Sequence, residues 1–220
     1  MHTTIVSLEK IVNEINQRLQ KNNVKKNPNV IAVSKTFGMD KIQPLINYGH
    51  IHFGENKVQE AIEKWTDLKK TNSNIKLHMI GKLQSNKVKQ VVPLFDYLHS
   101  LDNYKLAKKI YEEEKKNNKK IKIFIQINVG QEEQKSGINS KDLKDFYMQC
   151  VNDLKLDVVG LMCLPPNDDN TDNYFSEMKK LVLDNNLDHL SMGMSNDYLR
   201  AIDYGATFLR IGSKIFGARG

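Results

Sequence analysis

A lysine directly follows the first strongly apolar run of the chain. In NVIAVSKTFG, residues 29–38, four apolar residues precede Ser34 and Lys35. Such a run is typical of a strand that is buried on both faces. An amine that leaves a buried strand is partly desolvated, so its neutral form can attack a carbonyl carbon and form a Schiff base. The alternative is a lysine that only extends its charge into solvent.

Two segments near the end of the chain have the composition of an anion-binding site. The segment SMGMSND contains Ser195 and Asn196, which are favourable residues for capping the helix predicted after them. The segment RIGS, which begins at Arg210, contains Gly212 and Ser213 where a turn is expected. Backbone N–H groups at a helix start, together with serine hydroxyls, bind phosphate well. Ordinary capping and turn formation would explain either segment alone.

The rest of the chain alternates between β-rich runs and helical patterns. Strands are predicted over 30–34, 51–54, 77–80, 97–100, 121–129, 158–163, 190–192 and 207–211. Helices are predicted over 40–48, 57–70, 85–92, 103–117, 140–152, 171–185 and 196–204, after an amphipathic helix over 4–21, and a short last helix near 214–216. Because parallel neighbours need crossover helices, the pattern predicts an α/β fold. The predicted fold is a single (β/α)8 TIM barrel with an extra N-terminal helix. One domain over residues 1–220 is expected to form it. An open, doubly wound sheet is the alternative.

The predicted barrel would bring the lysine and the anion-binding segments together. In this architecture the functional groups gather where the strands end, and the last strand pairs with the first. We therefore expect Lys35 to face Ser195 and Ser213. A ligand that carries both an aldehyde and a phosphate fits this arrangement, and pyridoxal 5′-phosphate (PLP) is the common one.

The overall charge leaves several partners open. With 33 Lys and Arg against 26 Asp and Glu, the formal net charge is +7, which could attract nucleic acid, a membrane surface or phosphorylated small molecules. The charge is spread along lysine-rich helices and no RNA-recognition motif is present, so we expect no nucleic-acid partner. The chain has no apolar signal segment and no run long enough to span a membrane. Cys150 and Cys163 are expected to be reduced thiols, and the protein is predicted to be soluble and cytoplasmic.

Histidines suggest a second kind of site. His50 and His52 form an HxH pattern, and His78 and His99 lie on predicted strands. Barrel hydrolases bind metal ions with such residues. However, the pattern opens the second strand and no matching aspartate follows the last strand. We therefore expect packed or hydrogen-bonded histidines and no metal.

Six segments resemble the pyridoxal phosphate homeostasis proteins, also known as the YggS-like or proline-synthetase co-transcribed group. They are AVSKT, FGENKVQE, HMIGKLQSNK, GLMC, LSMGMSND and RIGSKIFG, and they lie in the order of the family between about residues 30 and 217. The family is similar to the barrel half of alanine racemase and has fold type III. The sequence departs from the family pattern at 100–103, 128–137 and 164–170, which affects substrate or partner contacts more than cofactor binding.

The resemblance implies a set of cofactor-binding residues. Lys35 would carry PLP as a covalent internal aldimine. Ser195, Gly212 and Ser213 would contact the phosphate, and Arg210 would face the pyridine nitrogen. Asn56 would lie beside the ring.

The same resemblance bears on catalysis. The PLP ring accepts electrons best when its nitrogen is protonated. Arg210 stays charged and can only donate a hydrogen bond, so it would keep that nitrogen unprotonated. We therefore expect a PLP carrier in vitamin B6 homeostasis with little or no turnover, and a weak amino-acid racemase is the alternative. The chain is expected to lack the added β-domain of alanine racemase, which favours a monomer. Apo-PLP enzymes are the expected recipients.

Overall fold

Eight parallel strands form a closed barrel in which each strand pairs with its neighbours in the chain. The computed structural model describes residues 1–24, 26–132 and 136–218, so part of the 128–137 segment lies outside the described residues. The strands are β1 Asn29–Val33, β2 His52–Glu55, β3 Lys76–Met79, β4 Tyr97–Leu101, β5 Lys122–Ile127, β6 Asp157–Cys163, β7 His189–Met194 and β8 Phe208–Ile211. β8 pairs with β1, and the register places Ile31 beside Arg210. The predicted TIM barrel is confirmed.

Nine α-helices within the described residues surround the barrel or precede it. They are α1 Thr3–Lys21, α2 Met39–Asn47, α3 Val58–Thr71, α4 Val88–Leu94, α5 Tyr104–Asn117, α6 Leu143–Met148, α7 Thr171–Asp184, α8 Tyr198–Asp203 and α9 Ser213–Phe216. Short 3₁₀ turns at Ser85–Lys87 and Ser140–Asp142 lead into α4 and α6. Each helix links consecutive parallel strands, except α1 and α9, which flank the strand series.

The extra helix α1 packs on the outside of the barrel. Leu8, Ile11 and Ile15 recur at three- and four-residue spacing and are buried on one face. Arg18 at the end of α1 donates from Nε to Asp203 of α8 at 2.8 Å. The helix is therefore held by an apolar stripe and by a charged contact close to its C-terminus.

The inside of the barrel is filled by side chains. Ile31, Val33, Phe124, Met162 and Phe208 form an apolar cluster at its centre. Intervening strand residues point the opposite way and pack under the helices, because successive side chains of a strand alternate between faces. A packed interior leaves the end of the barrel, where the strands finish, as the place for a site.

One predicted helix changes type along its length. The helical stretch predicted over 140–152 begins as a 3₁₀ turn at Ser140–Asp142, continues as α6 to Met148 and ends in a wider π turn at Gln149–Asp153. In that turn Cys150 is fully buried and its carbonyl oxygen accepts from the N–H of Leu156 at 3.0 Å. The wider turn thereby places a thiol in the core and starts the approach to β6.

Candidate functional site

A cavity of about 620 Å³ lies at the end of the barrel where the strands finish. Its volume is in the range of small-molecule sites. The residues named from the sequence line it, on or after β1, β2, β7 and β8: Lys35, Asn56, Ser195, Arg210, Gly212 and Ser213. Barrel closure brings all six together. Their roles in binding stay a prediction.

Lys35 lies two residues beyond the end of β1, in a tight turn held by α3. Lys64 donates from Nζ to the carbonyl oxygen of Ser34 at 3.0 Å. The N–H of Thr36 donates to Oε1 of Glu60, one helical turn before Lys64. Thr36 has a φ of 68°, a left-handed conformation that is unfavourable for a β-branched residue. Two side chains of α3 therefore fix the backbone on both sides of Lys35 and stabilise the strained turn.

A buried carboxyl group, Glu55 at the end of β2, lies behind this turn. Its Oε1 accepts hydrogen bonds from Ser34 Oγ at 2.7 Å and Trp65 Nε1 at 3.0 Å, and it lies 3.4 Å from Lys64 Nζ. Its Oε2 has no hydrogen-bond partner among the described residues. Burial raises the pKa of Glu55, although these three partners oppose the effect. Glu55 joins β1, β2 and α3 into one support for the lysine.

Arg210 on β8 is a buried cation, with only 4% of its surface exposed. Its Nη1 donates to Ser191 Oγ at 2.7 Å and its Nη2 donates to the carbonyl oxygen of Cys163 at 2.7 Å. Burial lowers the pKa of Arg210 from its usual high value. Within the described part of the chain, no carboxylate forms an ion pair with it. A buried charge without a counter-ion is costly, so this end of the cavity favours a ligand atom that accepts hydrogen bonds.

The chain turns sharply after β7. Gly193 has a φ of 88°, and a Cβ atom at this position would lie 2.6 Å from the Cβ of Ala201. Only glycine meets both constraints. This close approach of β7 to α8 leaves the following residues at the rim of the cavity.

The start of α8 differs from the prediction. Asp197 occupies the N-cap position and its Oδ1 accepts the N–H of Met194 at 2.6 Å. The prediction that Ser195 and Asn196 cap this helix is therefore wrong, because the aspartate closes the turn that contains them. Both residues still line the cavity.

The segment after β8 completes the same wall. Gly212 and Ser213 open α9, and both line the cavity. The N–H of Lys214 donates to Ser195 Oγ at 3.5 Å, so the segments after β7 and β8 touch. Two serine hydroxyls and backbone N–H groups are thereby concentrated on one side of the cavity, the chemistry that a phosphate group requires.

Asn56 carries an unsatisfied buried atom beside the cavity. Its Oδ1 is buried and has no hydrogen-bond partner among the residues described. Gly81, which also lines the cavity, lies so close that a Cβ atom on it would be 2.3 Å from the carbonyl oxygen of Asn56. Buried polar atoms normally have partners, so this amide is set up to bind a ligand or a water molecule.

Sequence analysis linked the 164–170 segment to substrate or partner contacts, but it did not predict that this segment, which follows β6, forms a wall of the cavity. Leu164, Pro165 and Pro166 line the cavity, and so does Phe37, whose ring stacks on Phe216 with centroids 4.9 Å apart. Leu164 is 39% exposed. The topology could have identified this wall, since every segment after a parallel barrel strand lies at the same end.

The predicted hydrogen bonding of the histidines is confirmed. His52 Nδ1 lies 2.9 Å from His78 Nε2, and His78 Nδ1 lies 2.9 Å from His99 Nε2. Across the described ranges, no group of three or more histidine, cysteine, aspartate or glutamate residues has a metal-binding arrangement.

None of the helices in these ranges is both long and apolar enough to cross a bilayer.

Comparison with known proteins identifies the family. The alanine racemase N-terminal domain family matches residues 6–220. The pyridoxal phosphate homeostasis protein of Pasteurella multocida (strain Pm70) is 38% identical over 200 residues, which cover 86% of each chain. The chain belongs to the pyridoxal phosphate homeostasis protein family.

Solved structures of another member share the barrel of this homeostasis-family protein. PipY of Synechococcus elongatus PCC7942 without PLP has a TM-score of 0.82 and 31% identity, covering 92% of this chain and 100% of PipY. PipY with PLP bound has a TM-score of 0.78 with the same identity and coverage.

The residues of this family member fit PLP. Arg210 is a buried cation that can only donate hydrogen bonds, and Asn56 has a buried oxygen without a partner among the described residues. The hydroxyls of Ser195 and Ser213 suit a phosphate, and Lys35 is the amine that lines the same cavity. These groups match the acceptor nitrogen, ring substituents, phosphate and aldehyde of the cofactor.

Proposed function

We propose that this protein binds PLP in the barrel cavity and serves in intracellular PLP homeostasis. The observation that carries the proposal is the buried guanidinium of Arg210, which faces the same cavity as Lys35 and has no carboxylate partner among the described residues. Such a charge favours a ligand with acceptor atoms. The PLP-bound structure of the relative PipY supports the same ligand class.

Each side chain of the cavity has a distinct role in this proposal. The amine of Lys35 would add to the aldehyde carbon of PLP with loss of a water molecule, which would give a Schiff base. The α3 contacts of the turn fix the lysine backbone before the ligand arrives. Ser195, Gly212 and Ser213 contact the phosphate, and Arg210 contacts the ring nitrogen. Asn56 lies beside the ring.

Little or no catalytic turnover follows from the same residues. PLP supplies an electron sink when bound, and the sink is strongest when the ring nitrogen is protonated. Arg210 can only donate, so it holds the proton on itself. Two carboxylates, Asp168 and Asp197, also line the cavity. Asp168 accepts from the N–H of Asn170 and Asp197 accepts from the N–H of Met194, so each carboxylate stabilises a local turn.

The proposed setting of the protein is the cytoplasm. Cys150 and Cys163 are buried free thiols, as expected in a reducing compartment. We infer one domain over residues 1–220 that acts as a monomer and passes PLP to apo-PLP enzymes. Sedimentation of the PLP-loaded protein tests the oligomeric state, and recovery of activity by an added apo-PLP enzyme tests the transfer.

Borohydride reduction tests the assignment of the lysine. The purified protein is incubated with PLP, reduced, digested and mapped by mass spectrometry. We expect the pyridoxyl mass on Lys35, and Lys35→Ala should lose the absorbance of the bound cofactor. Lys179→Ala, on the outer face of α7, is the matched control and should retain it.

Two results would contradict the proposal. Reduction that labels a different lysine, or none, would remove the role of Lys35. Steady conversion of an L-amino acid to its enantiomer that disappears in Lys35→Ala would assign the protein as a racemase.

A further inference from the structure

A continuous line of hydrogen-bonded side chains crosses the inside of the barrel and ends at Arg210. It begins at His52 on β2 and passes through His78 on β3 and His99 on β4, with 2.9 Å between the ring nitrogens at each step. His99 Nδ1 then lies 2.8 Å from Ser191 Oγ, which accepts from Arg210 Nη1 at 2.7 Å. We refer to these three histidines and Ser191 as the histidine chain.

The histidine chain has an apolar surrounding. His78 and His99 are fully buried. The His78 ring stacks on Tyr97 with centroids 4.3 Å apart, and the His99 ring stacks on Phe124 at the same distance. Phe208 lies edge-on to His99. In such surroundings each ring nitrogen depends on its neighbour in the histidine chain for a hydrogen bond. The direction of each hydrogen bond therefore determines which ring nitrogen carries hydrogen.

Arg210 sets that direction. A guanidinium only donates, so Ser191 Oγ accepts from it, and the hydroxyl hydrogen must point to the other partner, His99 Nδ1. His99 therefore carries its hydrogen on Nε2 and donates to His78, which donates in the same way to His52. The reverse direction would leave the Ser191 hydroxyl hydrogen without an acceptor among the described residues.

The neutral state of the rings supports the same direction. Burial lowers the pKa of His78 and His99 well below the usual range, and it lowers that of His52 to about 4. At neutral pH each ring therefore has one donor and one acceptor, which a chain of uniform direction requires.

We propose that His99, supported by His78 and His52, is a positioning residue that orients the Ser191 hydroxyl and thereby holds Arg210 in one orientation toward the cavity. The inference rests on the proposed function, in which Arg210 donates to the ring nitrogen of PLP. It extends that function from the rim into the interior, because the ligand contact made by Arg210 depends on residues that touch no ligand.

The first test needs no ligand. Long-range ¹⁵N–¹H spectra of the full chain at pH 7.5 report which ring nitrogen of each histidine carries hydrogen. We expect hydrogen on Nε2 and none on Nδ1 for His52, His78 and His99. Hydrogen on Nδ1 of His99 would overturn the inference, whatever ligand the cavity binds.

The second test measures PLP binding in variants. His99→Phe keeps the stacking surface on Phe124 and removes the acceptor for the Ser191 hydroxyl. We expect about a tenfold weaker affinity for PLP, the effect of one hydrogen bond, and a changed pH profile of the bound-PLP absorbance. His189→Phe is the matched control. The His189 ring also packs on Phe208, with centroids 5.3 Å apart, but His189 is not part of the histidine chain.

A pair at Ser191 keeps the test decisive where His99→Phe does not fold. Ser191→Ala should show the same loss of affinity and the same change in the pH profile, and Ser191→Thr, which retains the hydroxyl, should recover both. Equal losses in His99→Phe and His189→Phe, or wild-type binding by Ser191→Ala, would overturn the inference. Failure of the wild-type protein to bind PLP would instead contradict the proposed function. The tautomer measurement would then decide whether the histidine chain orients Ser191 and Arg210 as proposed.

Discussion

Acidification should destabilise this protein well above the pH at which its carboxylates titrate. Burial lowers the pKa of His50 and His52 to about 4, and that of His78 and His99 further below the usual range. In the unfolded chain each would titrate near 6.5. Their contribution to stability is therefore complete above about pH 6.5 and is lost as the pH falls toward 4, because only the unfolded state takes up the protons.

The size of the effect follows from these values. At pH 5, a histidine with a pKa of about 6.5 when unfolded and about 4 when folded lowers the free energy of unfolding by about 2 kcal/mol. Four such residues give at most about 8 kcal/mol, which is comparable with the whole stability of a typical domain. Glu55 acts in the opposite direction, because its raised pKa favours proton uptake by the folded state. We expect a net loss of about 4–8 kcal/mol between pH 7.5 and 5.

Urea unfolding at several pH values measures this loss. Trp65 is the single tryptophan and is fully buried, so its fluorescence follows unfolding. The control is His52→Gln, in which the slope of unfolding free energy against pH should fall by up to about 1.4 kcal/mol per pH unit, the effect of one proton. A free energy of unfolding at pH 5 within 1 kcal/mol, roughly, of that at pH 7.5 would refute the reasoning, since it would mean that the buried rings accept protons freely.

Two further predictions concern the packing of the site and the core. Gly81→Ala should lower the free energy of unfolding by about 1–3 kcal/mol, because the new methyl group would meet the backbone of Asn56. Gly38→Ala is the control, since its methyl group would meet only the flexible end of a side chain, and it should be nearly neutral. Thermal denaturation measures both. Burial raises the pKa of Cys150 and Cys163 to about 12, so neither thiol should react with a disulfide reagent at pH 8 in the native protein, whereas both should react in urea. Rapid native labelling would contradict the burial of these thiols.

The barrel was predictable because its determinants are local. Each strand is a short apolar run followed by a turn and a helical pattern, and the observed strands lie within one or two residues of the predicted bounds. Parallel pairing, closure and the position of the site then follow from general rules of the architecture. The sequence placed Lys35 and Ser213 at the same end of the barrel for this reason.

The supports of the site were not predictable because they depend on register. Nothing near His99 in the sequence indicates that Ser191, 92 residues later, accepts from Arg210 and contacts that ring. The left-handed conformation of Thr36 is equally hidden, since threonine disfavours it and contacts from α3, among them the hydrogen bond to Glu60, stabilise it. Such features appear only once the strands and helices are docked.

The two residues proposed to contact the ligand at its ends, Lys35 and Arg210, are held from opposite sides. α3 fixes the turn of Lys35 from outside the barrel, through Lys64 and Glu60. The histidine chain reaches Arg210 from the inside. A cavity whose floor is fixed in this way loses little conformational entropy when PLP binds, so affinity does not require the mouth to close. The partly exposed Leu164 at the rim is consistent with a mouth that stays accessible, and access is what an incoming amine of a recipient enzyme needs if PLP is to be handed on.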